Sequence, residues 1–203
     1  MSETRKKTDK REMILKVASE VFSRFGFEKT TLEDIGTRCR LNKASLYYYF
    51  KNKEDLFVAV VLAETAVFIE DLQAQTQTLP DTQAKTLHYL TMRIRRYEEV
   101  LNATQLSLDR LQQVEPIFDQ LYQTIKDKEI LFLEQMLNAG VQQGDIQKTD
   151  TKTLAESLFL ISDALKHHQV MRQRAFSGEK FDYQASEKQL TLIIELIFKG
   201  LKK

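Results

Sequence analysis

The apolar residues of this chain recur at helical spacing along almost its whole length, and that period constrains the fold more than any other feature. Ile14, Val17, Ala18, Val21, Phe22 and Phe25 stand at i, i+3, i+4, i+7, i+8 and i+11, one stripe of an amphipathic helix. Leu87, Leu90, Ile94, Tyr97 and Leu101 step 3, 4, 3, 4, and Leu154, Leu158, Ile161 and Leu165 step 4, 3, 4. Near the C-terminus, Leu190, Ile193, Ile194, Ile197, Phe198 and Leu201 repeat the first pattern. No stretch of strand length alternates strictly between polar and apolar. Six Gly and two Pro in 203 residues also leave little material for the tight turns of a sheet. The expected fold is all-α, with about nine helices.

Start and stop signals place the first helices. Gly26 ends the first stripe. Thr30 with Glu33, or Thr31 with Asp34, makes a capping box for a short helix from about Leu32 to Cys39. Asn42 can cap a third helix, Lys43 to Phe50, and Asn52 with Glu54 and Asp55 opens a long fourth one. The fourth helix should end before Pro80. Pro116 suits the first turn of a helix carrying Phe118, Leu121, Tyr122, Ile125, Phe132 and Met136. Gly140 and Gly144 mark the loop after it, and Ser177-Gly178 breaks the pattern again.

Charge divides the chain at the same point as the helix pattern. Residues 1–53 carry 13 Lys+Arg against 7 Asp+Glu, a net of +6, whereas the remaining residues carry 17 against 22, a net of −5. A basic head on an acidic body suggests that the head meets a polyanion. The expected organisation is a three-helix head, residues 1–53, with a helix-turn-helix at about 31–50. A helical domain, residues 54–203, follows it. No apolar run approaches the ~18 residues needed to span a bilayer, and no apolar signal segment follows the charged N-terminus, so a cytoplasmic address is expected. Cys39, the single cysteine, falls on the apolar side of its helix as a small buried hydrophobe. No phosphate-cradling glycine loop, nucleophile elbow or His/carboxylate cluster is present, so neither an enzyme nor a cofactor or metal centre is expected. The adjacent His167 and His168 point about 100° apart on a helix and do not suit one metal ion.

The informative stretch is TLEDIGTRCRLNKASLYYYFKNK, residues 31–53. Leu32, Ile35 and Cys39 face inward from its first helix, and Leu46 and Phe50 from its second. Thr31, Lys43, Ser45, Tyr47 and Tyr48 are left outward, with Tyr49 at the boundary. Three consecutive tyrosines on one helix cannot all be buried. Against a duplex they can stack along the sugar-phosphate backbone, donate to phosphate and touch thymine methyls. Lys43, Lys51 and Lys53 add neutralising charge, and the start of the second helix adds N–H donors. The same segment also suits a plain helical hairpin with a surface tyrosine patch.

Residues 35–56, I-x-x-x-C-x-L-N-K-A-S-L-Y-Y-Y-F-K-N-K-E-D-L, resemble the TetR family of bacterial regulators, and the resemblance extends over about residues 10–60. It implies a homodimeric, sequence-specific DNA-binding transcription regulator, most often a repressor released from a pseudo-palindromic operator by a small molecule. By the same resemblance Lys43 to Tyr49 form the recognition helix. Thr31, Tyr48 and Lys53 would contact phosphates, and Lys43, Ala44, Ser45 and Tyr47 would lie nearest base edges. Arg5, Lys6, Lys7 and Lys10 would form an arm along the backbone or in the minor groove. The family's usual glycine in the turn is Arg40 here. If that position needs a left-handed backbone, the substitution costs ~1–2 kcal/mol.

A dimer must hold two recognition helices about one turn of DNA apart, ~34–36 Å. The last two helices, about 151–173 and 184–201, are the candidates for a four-helix dimer bundle, although their stripes also suit burial within one chain. Phe68, Tyr97, Leu101, Phe118, Tyr122 and Phe159 are candidate lining residues for a small, largely apolar effector, and an aromatic stripe at this spacing equally suits packed core. Arg93, Arg95 and Arg96 form a basic cluster beside Glu98 and Glu99, expected as a solvated, partly paired face. Effector binding would move the connecting fourth helix. A different reading of the whole chain is a helical small-molecule carrier or protein-interaction module that binds no operator. It predicts no footprint on DNA and little effect from changing Tyr47 or Tyr48.

Overall fold

The computed structural model describes residues 2–104, 108–173 and 181–202. Eight α-helices and no strand occur among the described residues: α1 Ser2–Phe25, α2 Leu32–Arg38, α3 Lys43–Tyr49, α4 Lys53–Gln77, α5 Thr82–Thr104, α6 Leu108–Gln143, α7 Thr151–Gln173 and α8 Gln184–Leu201. The chain divides into two compact units, one of Met1–Val67 with Val100–Tyr122, the other of Phe68–Glu99 with Gln123–Lys203.

In the first unit the stripe of α1 is buried at Ile14, Ala18, Val21 and Phe22. Phe25, the last member of that stripe, departs from expectation. It is 41% exposed, with the guanidinium groups of Arg24 and Arg38 about 5 Å from its ring. Gly26 then takes φ +78 and closes the helix with N–H donation to the Phe22 carbonyl, a backbone angle that favours glycine. Phe22, Phe27 and Phe57 pack ring against ring at 5.0–5.9 Å and tie α1 to the start of α4. Cys39 is buried, and burial pushes its thiol above the ordinary value. The basic N-terminal segment belongs to α1 from Ser2 onward. The Arg5 and Lys6 side chains lie outside the described residues.

Pro116 lies inside α6, not in its first turn, because that helix begins at Leu108. The ring removes one backbone donor and is tolerated at that cost.

In the second unit the basic cluster of α5 departs from the expected solvated face. Arg93 is 4% exposed and Glu129 fully buried; the guanidinium pairs with that carboxylate and also donates to Ser162 Oγ and Asp163 Oδ1. Tyr89 donates its hydroxyl to the same Glu129, and burial drives its pKa far up. Lys166 pairs with Asp163 at 2.6 Å. Arg95 and Arg96 do behave as a paired, more open face: Arg95 grips Glu187 with two nitrogens at 2.9 Å, and Arg96 pairs with Glu99. A sequence signal for Arg93 existed. It lies four residues after Tyr89 and three after Leu90, on the buried side of α5.

Four helix ends of this unit are fastened at one loop. Thr82, opening α5, donates through N and Oγ1 to Asp145 Oδ2. The Gly140 carbonyl of α6 accepts from the N–H groups of Asp145 and Ile146. Thr151, opening α7, donates to Asn138 Oδ1, and Gln147 donates to the Leu201 and Lys202 carbonyls that end α8. A Cβ at Gly140 would collide with the Thr82 side chain, so this approach requires glycine.

Candidate nucleic-acid interface

The geometry of the head follows from its caps. Thr31 and Asp34 form the capping box of α2: the hydroxyl accepts from Asp34 N at 3.1 Å and donates to the carboxylate at 2.6 Å, and Thr31 N donates to the same oxygen at 2.9 Å. These bonds hold the Asp34 carboxyl below its ordinary pKa. Of the two capping boxes the sequence allows, this is the one formed. Asn42 caps α3 by accepting from Ser45 N at 2.8 Å. Between the helices, Arg40 adopts φ +54 and Leu41 N donates to the Gly36 carbonyl at 2.8 Å. The turn therefore keeps the left-handed geometry with arginine where glycine is usual.

Those caps fix which side of α3 is covered. Leu46 and Phe50 are buried, 1% and 4% exposed, while Tyr47 and Tyr48 stand 43% and 67% open. Ala44 and Lys43 are exposed, and Ser45 and Tyr49 are half-buried. Tyr49 meets Tyr48 edge to face at 5.1 Å, and the Lys7 ammonium lies 4.9 Å from the Tyr48 ring centroid. Among the described residues, Lys7 is the member of the N-terminal basic run that reaches the tyrosine face. Lys51 is exposed.

Two further lysines, Lys53 and Lys43, are engaged within the protein. Lys53 Nζ donates to the Phe27 carbonyl at 2.9 Å and sits 4.1 Å from that ring's centroid. An ammonium has three donors, so two remain for other acceptors. Lys43 Nζ pairs with Glu33 Oε1 at 2.7 Å, across the turn from α2 to α3, and the hydrogen bond holds the Glu33 carboxyl below its usual pKa while raising that of Lys43. Beside the pair lies a shallow pocket of about 200 Å³ lined by Leu32, Gly36, Leu41, Leu46 and Tyr47 among others. Sequence reading missed Glu33, because its partner lies across a turn and no local spacing announces it.

The six candidate effector residues divide evenly between the units. In the first, Leu101 is buried and Phe118 stacks on Tyr122 at 5.1 Å. In the second, Phe68 lies under the Arg96 guanidinium at 5.6 Å, Tyr97 meets Tyr183 edge to face, and Phe159 is fully buried beneath the Arg93 guanidinium at 4.0 Å.

Residues 14–60 match the bacterial regulatory proteins of the tetR family. The HTH-type transcriptional repressor NicS of Pseudomonas putida is 28% identical over 95% of this chain and 92% of its own length. The HTH-type transcriptional regulator RutR of Escherichia coli O157:H7 is 27% identical over 78% of this chain and 73% of its own. A transcriptional regulator from Cytophaga hutchinsonii shares the fold with a TM-score of 0.77, at 24% identity, over 95% of this chain and 98% of that one.

Proposed function

We propose that this chain, whose residues 14–60 match the tetR family, is a DNA-binding transcription regulator of that family, acting as a homodimeric repressor of a pseudo-palindromic operator and released by a small, largely apolar effector. The observation that carries the reading is the outer face of α3. Tyr47 and Tyr48 are held open to solvent while Leu46 and Phe50 lock the helix from behind, with exposed Lys43 and Lys51 flanking them. A large aromatic surface kept out of the core beside cations suits a sugar-phosphate wall and the groove floor next to it.

In this reading Ala44, Ser45 and Tyr47 lie nearest base edges, together with Lys43. Thr31, Tyr48, Tyr49 and Lys53 meet the backbone. The open leucines and methionine of α7 and α8 support self-association: Leu160 is 68%, Met171 54%, Leu192 56% and Leu196 59% exposed. Phe68, Tyr97, Phe118, Tyr122 and Phe159, with the aliphatic Leu101, are the candidate effector contacts. An effector that prefers one of two dimer states shifts the population away from the DNA-fitting one. Such a regulator works beside the chromosome, in the cytoplasm, and no described helix is long and apolar enough to cross a membrane.

Selection of bound duplexes from a random pool tests the reading, repeated in the presence of a panel of apolar compounds. The expected result is an enriched inverted repeat with half-site centres about one helical turn or slightly more apart, and loss of enrichment with at least one compound. A pool that never departs from random would overturn it.

A further inference from the structure

The Glu33–Lys43 pair stands on the DNA-facing end of the head and has no evident part in holding it together. Both side chains are open, 55% and 66% exposed. Neither caps a helix: α2 is capped by Thr31 and Asp34, and α3 by Asn42. The core beneath is closed by Leu32, Ile35 and Leu46. An exposed pair of this kind adds little to stability, because water screens it and two long side chains must be held in one geometry. Its effect is on what the leading residue of α3 offers to a polyanion.

An unpaired lysine there would neutralise a phosphate on any duplex. Each such contact strengthens binding to every sequence alike and steepens the fall of log K with log salt by ~0.9. With a carboxylate 2.7 Å from the Lys43 ammonium, the pair together presents no net charge, and Glu33 itself repels phosphate. A base edge is a different case. The ammonium has three N–H donors, so one can stay on Glu33 while another reaches an acceptor such as guanine O6 or N7. The side chain gains little from a uniform backbone and more from a correctly placed acceptor.

We propose that Glu33 is a specificity-determining residue of the DNA interface, which restrains the Lys43 ammonium from serving as a general phosphate contact and leaves it for a base edge. The proposal rests on the DNA-binding reading above and adds a negative element to it, since discrimination is a difference between two affinities. The neighbouring Asp34 is committed to the Thr31 cap and does not compete for Lys43.

The test uses the full chain and a duplex of random sequence, titrated between about 50 and 200 mM salt by fluorescence anisotropy. Glu33→Gln is expected to bind random duplex roughly three- to tenfold tighter at the lower salt and to steepen the salt slope by ~0.9. The ratio of operator to random affinity falls accordingly. Lys43→Gln is expected to leave the slope nearly unchanged when Glu33 is present and to lower it by ~0.9 in the Glu33→Gln background. Melting curves check that each variant is folded, and the Lys43→Gln arm reads the coupling even if Glu33→Gln lowers stability. An unchanged slope and affinity in Glu33→Gln would overturn the proposal, as would an equal loss of slope from Lys43→Gln in both backgrounds. Wild-type protein that binds no duplex even at low salt would overturn the DNA-binding reading itself, and this inference with it.

Discussion

Arg40 is the one non-glycine residue at positive φ among the described residues, and its side chain makes the turn's left-handed angle more costly than glycine would. Replacing it with glycine removes that strain but loosens the unfolded chain. The expected net gain for Arg40→Gly is about 0.5–1 kcal/mol, or roughly 1–4 °C in Tm for a chain of this size. A thermal melt decides it, and a lowered Tm would mean that Arg40 earns its place through contacts that outweigh the strain. Arg93 and Glu129 set a larger effect in the second unit. Removing one partner, as in Arg93→Ala, leaves a buried carboxylate and is expected to cost ~3–5 kcal/mol in urea denaturation. Replacing both with methionine should recover most of that loss. If the double variant is as unstable as the single one, Ser162, Asp163 and Tyr89 depend on the charges and not merely on the volume filled.

At the scale of elements, α3 is a short helix stiffened from outside itself. Its position depends on the Asn42 cap, on Leu46 and Phe50 beneath it, and on the phenylalanine cluster that joins α1 to α4. Lys53 ties the first residue of α4 to the Phe27 carbonyl in the turn that follows α1. Lys53→Met is therefore expected to lower stability by about 1 kcal/mol for the lost hydrogen bond and to reduce the salt slope of DNA binding by ~1. A lowered slope with unchanged Tm would show that the Phe27 contact contributes nothing to stability. Much of this was legible beforehand, because caps, glycine stops and the 3.6-residue period act locally. The ends of α2, α3, α7 and α8 fall at or within a residue of the expected positions for that reason. Pro116 misled because proline marks a first turn only when nothing upstream is helical, and here Leu108 onward is. The Glu33–Lys43 and Arg93–Glu129 pairs were not legible as pairs, since tertiary packing brings their members together.

At the scale of the whole molecule, a +6 head and a −5 remainder leave a chain of nearly zero net charge with a strong internal division. Association with DNA should accordingly be steeply salt-dependent while the protein as a whole stays close to neutral. The dimer we propose depends on the exposed apolar residues of α7 and α8. Placing carboxylates there, as in Leu192→Glu with Leu196→Glu, is expected to raise the dimer dissociation constant by at least about 30-fold, the size of one interface hot spot. Light scattering would then report a monomer and operator binding would fall with it; a persistent dimer would place the interface elsewhere. The loop that fastens four helix ends at Thr82, Asp145, Gln147 and Thr151 has one more consequence. A permuted or split version of this protein cannot take its new termini from residues 144–150, since one cut there would release four helices at once.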